Sequence, residues 1–90
     1  AGKTMTGVEE TVAAAHHGRV DTLFVALNAQ VWGAYDTKTD TVQVRESPEP
    51  GDEDLLDLAA IESLLNGGSV YAVEPEQVPD GGPLAAVLRY

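Results

Sequence analysis

Histidines, clustered carboxylates, paired glycines and serines are the residues of this chain whose types could do chemistry. His16 and His17 are its two histidines. Adjacent helical residues point about 100° apart, so the pair cannot turn both imidazoles onto one metal ion. A place at a helix C-terminus, facing the negative end of the dipole, suits them better. Asp52, Glu53, Asp54 and Asp57 form an acidic run. A calcium loop spaces its oxygen ligands and closes on a glutamate, and this run does neither. Its expected work is to cap and charge a helix start, or to dock a partner. Gly67-Gly68 and Gly81-Gly82 neither open a helix nor precede Lys-Ser/Thr, so they read as turns and not as phosphate cradles. Ser47, Ser63 and Ser69 have no evident base partner, which leaves nucleophilic catalysis without support. The chain has no cysteine, hence no thiolate chemistry and no disulfides. The expectation is a domain that is not an enzyme and uses no cofactor and no metal.

Charge narrows the partners. Five Lys and Arg face fifteen Asp and Glu among ninety residues, a formal net charge of −10. The cations are scattered at Lys3, Arg19, Lys38, Arg45 and Arg89. Phosphate recognition needs clustered cations that release counterions, so direct binding of nucleic acid or anionic lipid is not expected. A basic protein surface is the better match, because opposite fields steer association; the alternative is a solvated acidic surface that maintains solubility. The apolar runs are far too short to span a bilayer, and the first residues lack a signal pattern. Cytoplasmic residence follows as the expectation.

The elements that must position these residues can be read from spacing. Ninety residues make one domain at most, with residues 1–6 expected as a linker or remnant and 7–90 as the domain. Thr6-Gly7-Val8-Glu9 reads as a capping box opening a helix over 7–17, with Val8, Val12 and Ala15 on one stripe and Gly18 after its end. A strand follows over 20–27, where Leu23-Phe24-Val25-Ala26-Leu27 is apolar without alternation, as in a central strand covered on both faces. Residues 31–35 and 41–45 predict a hairpin with one wet face, carrying Trp32 and Tyr35 either as core cover or as partner anchors. Residues 52–66 predict the longest helix, its apolar face made of Leu55, Leu58, Ala59, Ile61, Leu64 and Leu65. A strand over 70–73, at most one helical turn between Pro75 and Pro79, a turn at 80–83 and a last strand over 84–88 complete the chain. Strand, long helix and strand suggest a parallel pair, and the first helix can cover the other face. The expected fold is an α/β three-layer α/β/α sandwich on a mixed sheet.

Several stretches resemble one family. Gly7-Val8-Glu9-Glu10-Thr11-Val12, then Gly18-Arg19-Val20-Asp21-Thr22-Leu23-Phe24-Val25, is similar to the opening of the third domain of archaeal and eukaryotic peptide-chain release factors and of Pelota. Asp54-Leu55-Leu56-Asp57-Leu58-Ala59, the Gly67-Gly68 turn, Val70-Tyr71-Ala72-Val73 and the Gly81-Gly82-Pro83 to Leu88-Arg89-Tyr90 close resemble the family's later elements in order. Trp32-Gly33-Ala34-Tyr35-Asp36 and Gly51-Asp52-Glu53-Asp54 look most like the bacterial release-factor-like branch. The resemblance covers nearly the whole chain. It implies a fold shared with kink-turn-binding ribosomal proteins and a domain that docks a translational GTPase. Peptide release in the family belongs to a Gly-Gly-Gln loop of another domain. That tripeptide is absent here, since Ser69 and Pro83 follow the two glycine pairs.

Together these readings point to a non-catalytic protein-interaction domain of a ribosome-associated, release-factor-like translation protein, acting in termination, rescue or dormancy. Its expected partner is a translational GTPase or a ribosomal protein. The candidate partner-binding residues are Asp52, Glu53, Asp54, Asp57, Trp32 and Tyr35. The alternative is an RNA-binding, ribosomal-protein-like domain.

Overall fold

The computed structural model describes residues 3–78 and 82–89. The expected turn at Asp80-Gly81 and the closing Tyr90 lie outside the described residues. The elements are β1 (Lys3–Met5), α1 (Val8–His16), β2 (Val20–Ala26), β3 (Trp32–Asp36), β4 (Thr41–Arg45), β5 (Glu53–Asp54), α2 (Leu55–Leu65), β6 (Ser69–Val73), a 3-10 turn (Pro75–Gln77) and β7 (Leu84–Leu88). Lys3–Met5, read from sequence as linker, form an edge strand, and Met5 packs against the core.

The main sheet runs β1-β7-β2-β6, and a second, three-stranded sheet runs β4-β3-β5. β2 pairs β6 in parallel and β7 antiparallel, so the main sheet is mixed as expected. A register shift between Val20 and Thr22 marks a bulge. It brings Val20 to the same buried cluster as Leu23, although simple alternation would separate them.

The layering departs from the three-layer expectation. Leu84, Ala86 and Leu88 of β7 join Val12 and Ala15 of α1 and Leu55, Leu56 and Ala59 of α2 in one cluster. Strand side chains alternate between faces, so both helices lie on the same face of the sheet, packed against each other. The opposite face carries only a small cluster of Ala26, Ala85 and Val78. Phe24 is only half-buried there, so β2 is not covered on both faces. The hairpin does not extend the main sheet. It forms a separate sheet with β5, against which α1 and α2 also pack.

Local chemistry explains the helix ends. α1 is capped by Gly7, whose N–H donates to Glu10 Oε1 at 3.1 Å. The box is one residue later than the Thr6–Glu9 reading; either glutamate could have filled it by spacing alone. α2 begins three residues later than expected, because Glu53 and Asp54 pair with β3 before the helix starts. Both helices stop in the same way. Gly18 and Gly67 take φ of 73° and 84°. The next amides, Arg19 and Gly68, return to Ala14 O at 2.9 Å and Ser63 O at 2.8 Å. That is the Schellman arrangement, in which the glycine adopts the left-handed conformation without a Cβ penalty.

Leu23, Leu55 and Leu84 are fully buried, each contributing about 1.5–3 kcal/mol relative to an exposed side chain. On α2 the expected apolar face is only half right. Leu55 and Ala59 are buried, joined by Leu56 and Ser63, while Ile61, Leu64 and Leu65 are 47%, 58% and 76% exposed. The sheet occupies one side of the helix and α1 the next, and the remaining side has no neighbour among the described residues.

Candidate interaction surface

The acidic run is divided between structural and free carboxylates. Asp52 faces inward, with 4% of its side chain exposed; its Oδ1 receives Arg45 Nη1 at 2.7 Å, and its Oδ2 accepts the Glu49 amide at 2.9 Å. Arg45 also donates to Gln43 Oε1 at 2.8 Å. Together they staple the proline-containing loop 46–51 back onto β4. Asp54 is the N-cap of α2. Its Oδ1 accepts from Leu56 N at 3.0 Å and from Val31 N at 3.3 Å, so one carboxylate fixes both the helix start and the hairpin. Glu53 and Asp57 are exposed. Of the four acids, these two make no side-chain hydrogen bond or ion pair among the described residues.

Trp32 is half-buried and lies in register between Arg45 on β4 and Asp54 on β5. Gly33 beside it is buried. A Cβ there would run into the Gln43 carbonyl and approach Leu55 Cδ1 at 2.8 Å, so glycine lets the hairpin close on the first residue of α2. Strand alternation puts Tyr35 on the same face as Gly33 and opposite to Trp32. The candidate residues therefore do not form one constellation: Trp32 pairs with Asp54, Glu53 pairs with Gly33 on the other face, and Tyr35 belongs to a different cluster.

That second cluster was missed from sequence. Tyr35 Oη donates to Asp40 Oδ1 at 2.6 Å, and His17 Nε2 lies 3.0 Å from the same oxygen. Burial, and then the hydrogen bond to Asp40, push the Tyr35 phenol up to about 12, while the bonds from Tyr35 and His17 hold the Asp40 carboxyl below its ordinary range. His16 Nδ1 approaches Glu62 at 3.5 Å, and its ring meets Tyr35 edge-on at 5.3 Å. The two histidines thus diverge to separate acids, as adjacent helical positions require. The cluster ties the end of α1 to the tip of the hairpin. The only advance signal was Asp40 itself, an aspartate closing the four-residue loop 37–40 in the left-handed region at φ 56°.

The cations do not converge. Arg45 is engaged as described, and Arg89 donates to Val20 O at 2.9 Å and Asn66 O at 3.2 Å. Lys3 lies on the edge strand and Lys38 at the hairpin tip, both exposed. A cleft of about 580 Å³ runs beside that tip, lined by groups such as Asp36, Lys38, Thr41 and Gln43. Among the described residues, no group of three or more His, Asp or Glu side chains is placed to hold a metal ion, and no helix is long and apolar enough to cross a membrane.

A comparison of folds adds to this geometry. A solved structure of Dom34 from S. cerevisiae superposes with a TM-score of 0.59 over 98% of this chain, at 19% sequence identity. The fold is like that of part of Dom34. That protein is a translation termination-like factor involved in RNA quality control pathways and interacting with Hbs1. The chain spans 22% of the length of Dom34. No family model matches the sequence, and no curated protein matches it. The likeness supports the release-factor and Pelota resemblance at the level of a mixed α/β domain with two sheets and two helices.

Proposed function

We propose that this chain is a non-catalytic protein-interaction domain of a release-factor-like translation protein that works at the ribosome in the cytoplasm. The observation that carries the reading is the fold likeness over 98% of the chain to part of a termination-like factor that interacts with another protein. The surface chemistry is consistent with it. Glu53 and Asp57 are exposed on either side of the Asp54 cap, on a domain whose formal net charge is −10. Opposite charge steers a basic partner toward such a patch and contributes more to encounter than to stability. A translational GTPase or a ribosomal protein is the class of partner that the family resemblance implies.

The test is capture of a translational GTPase and of ribosomal proteins by the wild-type domain and by the double variant Glu53→Lys, Asp57→Lys. Asp54 keeps the helix cap and Asp52 keeps the Arg45 staple, so circular dichroism should be unchanged. Slower capture by the variant, most marked at low salt, is expected. Equal capture of the same proteins by both forms would reduce the patch to a solvated face.

A further inference from the structure

The geometry points to the outer edge of β6 as a docking edge, where an extended basic segment of a partner protein adds as the next strand of the main sheet. The inference deepens the interaction-domain reading and rests on it. β6 ends the sheet order, with β2 on its inner side. Leu27 N donates to Val73 O at 2.8 Å, so the backbone of Val73 turns inward. By the two-residue alternation of a strand, the N–H and C=O groups of Val70 and Ala72 turn outward.

Natural edges are protected by lysine, proline, a bulge or a covering element. The β6 sequence Ser-Val-Tyr-Ala-Val has neither charge nor proline, and the β2–β6 register is unbroken. Apolar side chains flank the edge on both faces. On the open face Tyr71 is 53% exposed and stacks on Phe24 at 5.8 Å. On the helix face, Glu62 and Asn66 of α2 turn toward α1 through His16 and Ala15 O. Leu64, two positions from each, lies about 200° around the helix from them, so it is turned away from α1 and 58% exposed on a helix that packs on β6. A strand laid along β6 would place alternate side chains against Tyr71 and Leu64.

Charge selects the occupant. Asp57 and Glu74 are exposed toward the end of β6, and neither β6 nor α2 carries a lysine or arginine. A second copy of this chain would bring another −10 to the same place. A segment alternating apolar and basic residues satisfies the backbone, the apolar flanks and the acids together.

The experiment uses the isotopically labelled chain and a blocked synthetic peptide of alternating valine and lysine. The expected result is saturable shifts and slowed hydrogen exchange at the Val70 and Ala72 amides, weakening as salt rises. A peptide of the same sequence with alternate backbone nitrogens methylated should lose the effect. Leu64→Lys, at an exposed position, should weaken binding at least tenfold with the fold intact, while Glu46→Lys, on the exposed loop after β4, should leave the peptide's grip on β6 in place. Equal binding of a valine–glutamate peptide, or shifts confined to residues away from β6, would overturn the inference while leaving the interaction-domain reading standing. Concentration-dependent shifts at Val70 and Ala72 without peptide would also overturn it, because a second copy would then be the occupant.

Discussion

Tyr35 and Asp40 close the β3–β4 loop on itself: the phenol of one donates to the carboxylate of the other at 2.6 Å, and His17 of α1 meets the same carboxylate oxygen at 3.0 Å. A loop tip that could have swung freely is thereby moored to a helix end. The arrangement favours a neutral phenol and an ionised carboxylate, and so makes stability pH-dependent in a defined sense.

Tyr35 is raised from 10.0 to about 12 in the folded chain. A raised pKa means that the folded state holds its proton more tightly. The stabilisation is complete below pH 10 and is lost as pH rises toward 12. Asp40 is lowered, so its contribution is present above the ordinary carboxylate value of 3.8 and disappears as pH falls through the lowered value. Urea unfolding across pH should show both losses. Tyr35→Phe should abolish the alkaline one and remove the latest phase of the phenolate absorbance titration, and Asp40→Asn should abolish the acid one. An unchanged late phase in Tyr35→Phe would show that the Tyr35–Asp40 bond does not persist in solution.

Leu55 and Leu65 open and close the same helix and should behave oppositely. Leu55 is fully buried against Gly33 and the sheet, and Leu55→Ala should cost about 2–5 kcal/mol in denaturant unfolding. Leu65 is 76% exposed, and Leu65→Ala should fall within about 0.5 kcal/mol of wild type. Equal losses would mean that α2 is rotated from the orientation described here.

Thr11 on α1 is fully buried, and its hydroxyl has no hydrogen-bond partner. An unsatisfied buried hydroxyl carries a desolvation cost, and Thr11→Val replaces it with a methyl of nearly the same shape. The variant should be more stable by about 1 kcal/mol. A loss of stability would reveal a partner for that oxygen, such as a buried water.

The dispersed cations lead to a prediction about RNA. The domain should show no salt-dependent binding to kink-turn or duplex RNA in a filter or fluorescence assay. Micromolar affinity that declines with rising salt would instead favour the RNA-binding alternative.

These residues also show what sequence could and could not reveal. The ends of both helices were legible, because Gly18 and Gly67 meet a local stereochemical need. The β3–β4 hairpin and the parallel β2–β6 pair were legible from apolar spacing and element order. The burial of α2 was not. Ile61, Leu64 and Leu65 are as apolar as Leu55 and Leu56, and only the positions of the sheet and α1 decide which of them are covered. The placing of both helices on one face of the main sheet escaped for a similar reason: the run 23–27 is apolar whether or not a helix covers its second face. The run Asp52-Glu53-Asp54 was recognisable as a helix start, though not which of the three is the cap, and the inward turn of Asp52 depends on Arg45, across a proline-containing loop. Tyr35 and His17 find Asp40 only once α1 and the hairpin have met.

The position of β7 bears on how the chain assembles. Lys3 faces Leu88 across the β1–β7 pair, and β7 also lies against β2. β1 therefore reaches the rest of its sheet only through the strand that is made last among the described elements. During synthesis the helices and the hairpin can form as they emerge, but the sheet lacks a central member until Leu84–Leu88 are free. Pairings this distant in sequence must first overcome the entropy of closing the intervening chain. Folding should thus complete in a late, concerted step, and a nascent chain arrested before Leu84 should remain protease-sensitive throughout β1 and β2.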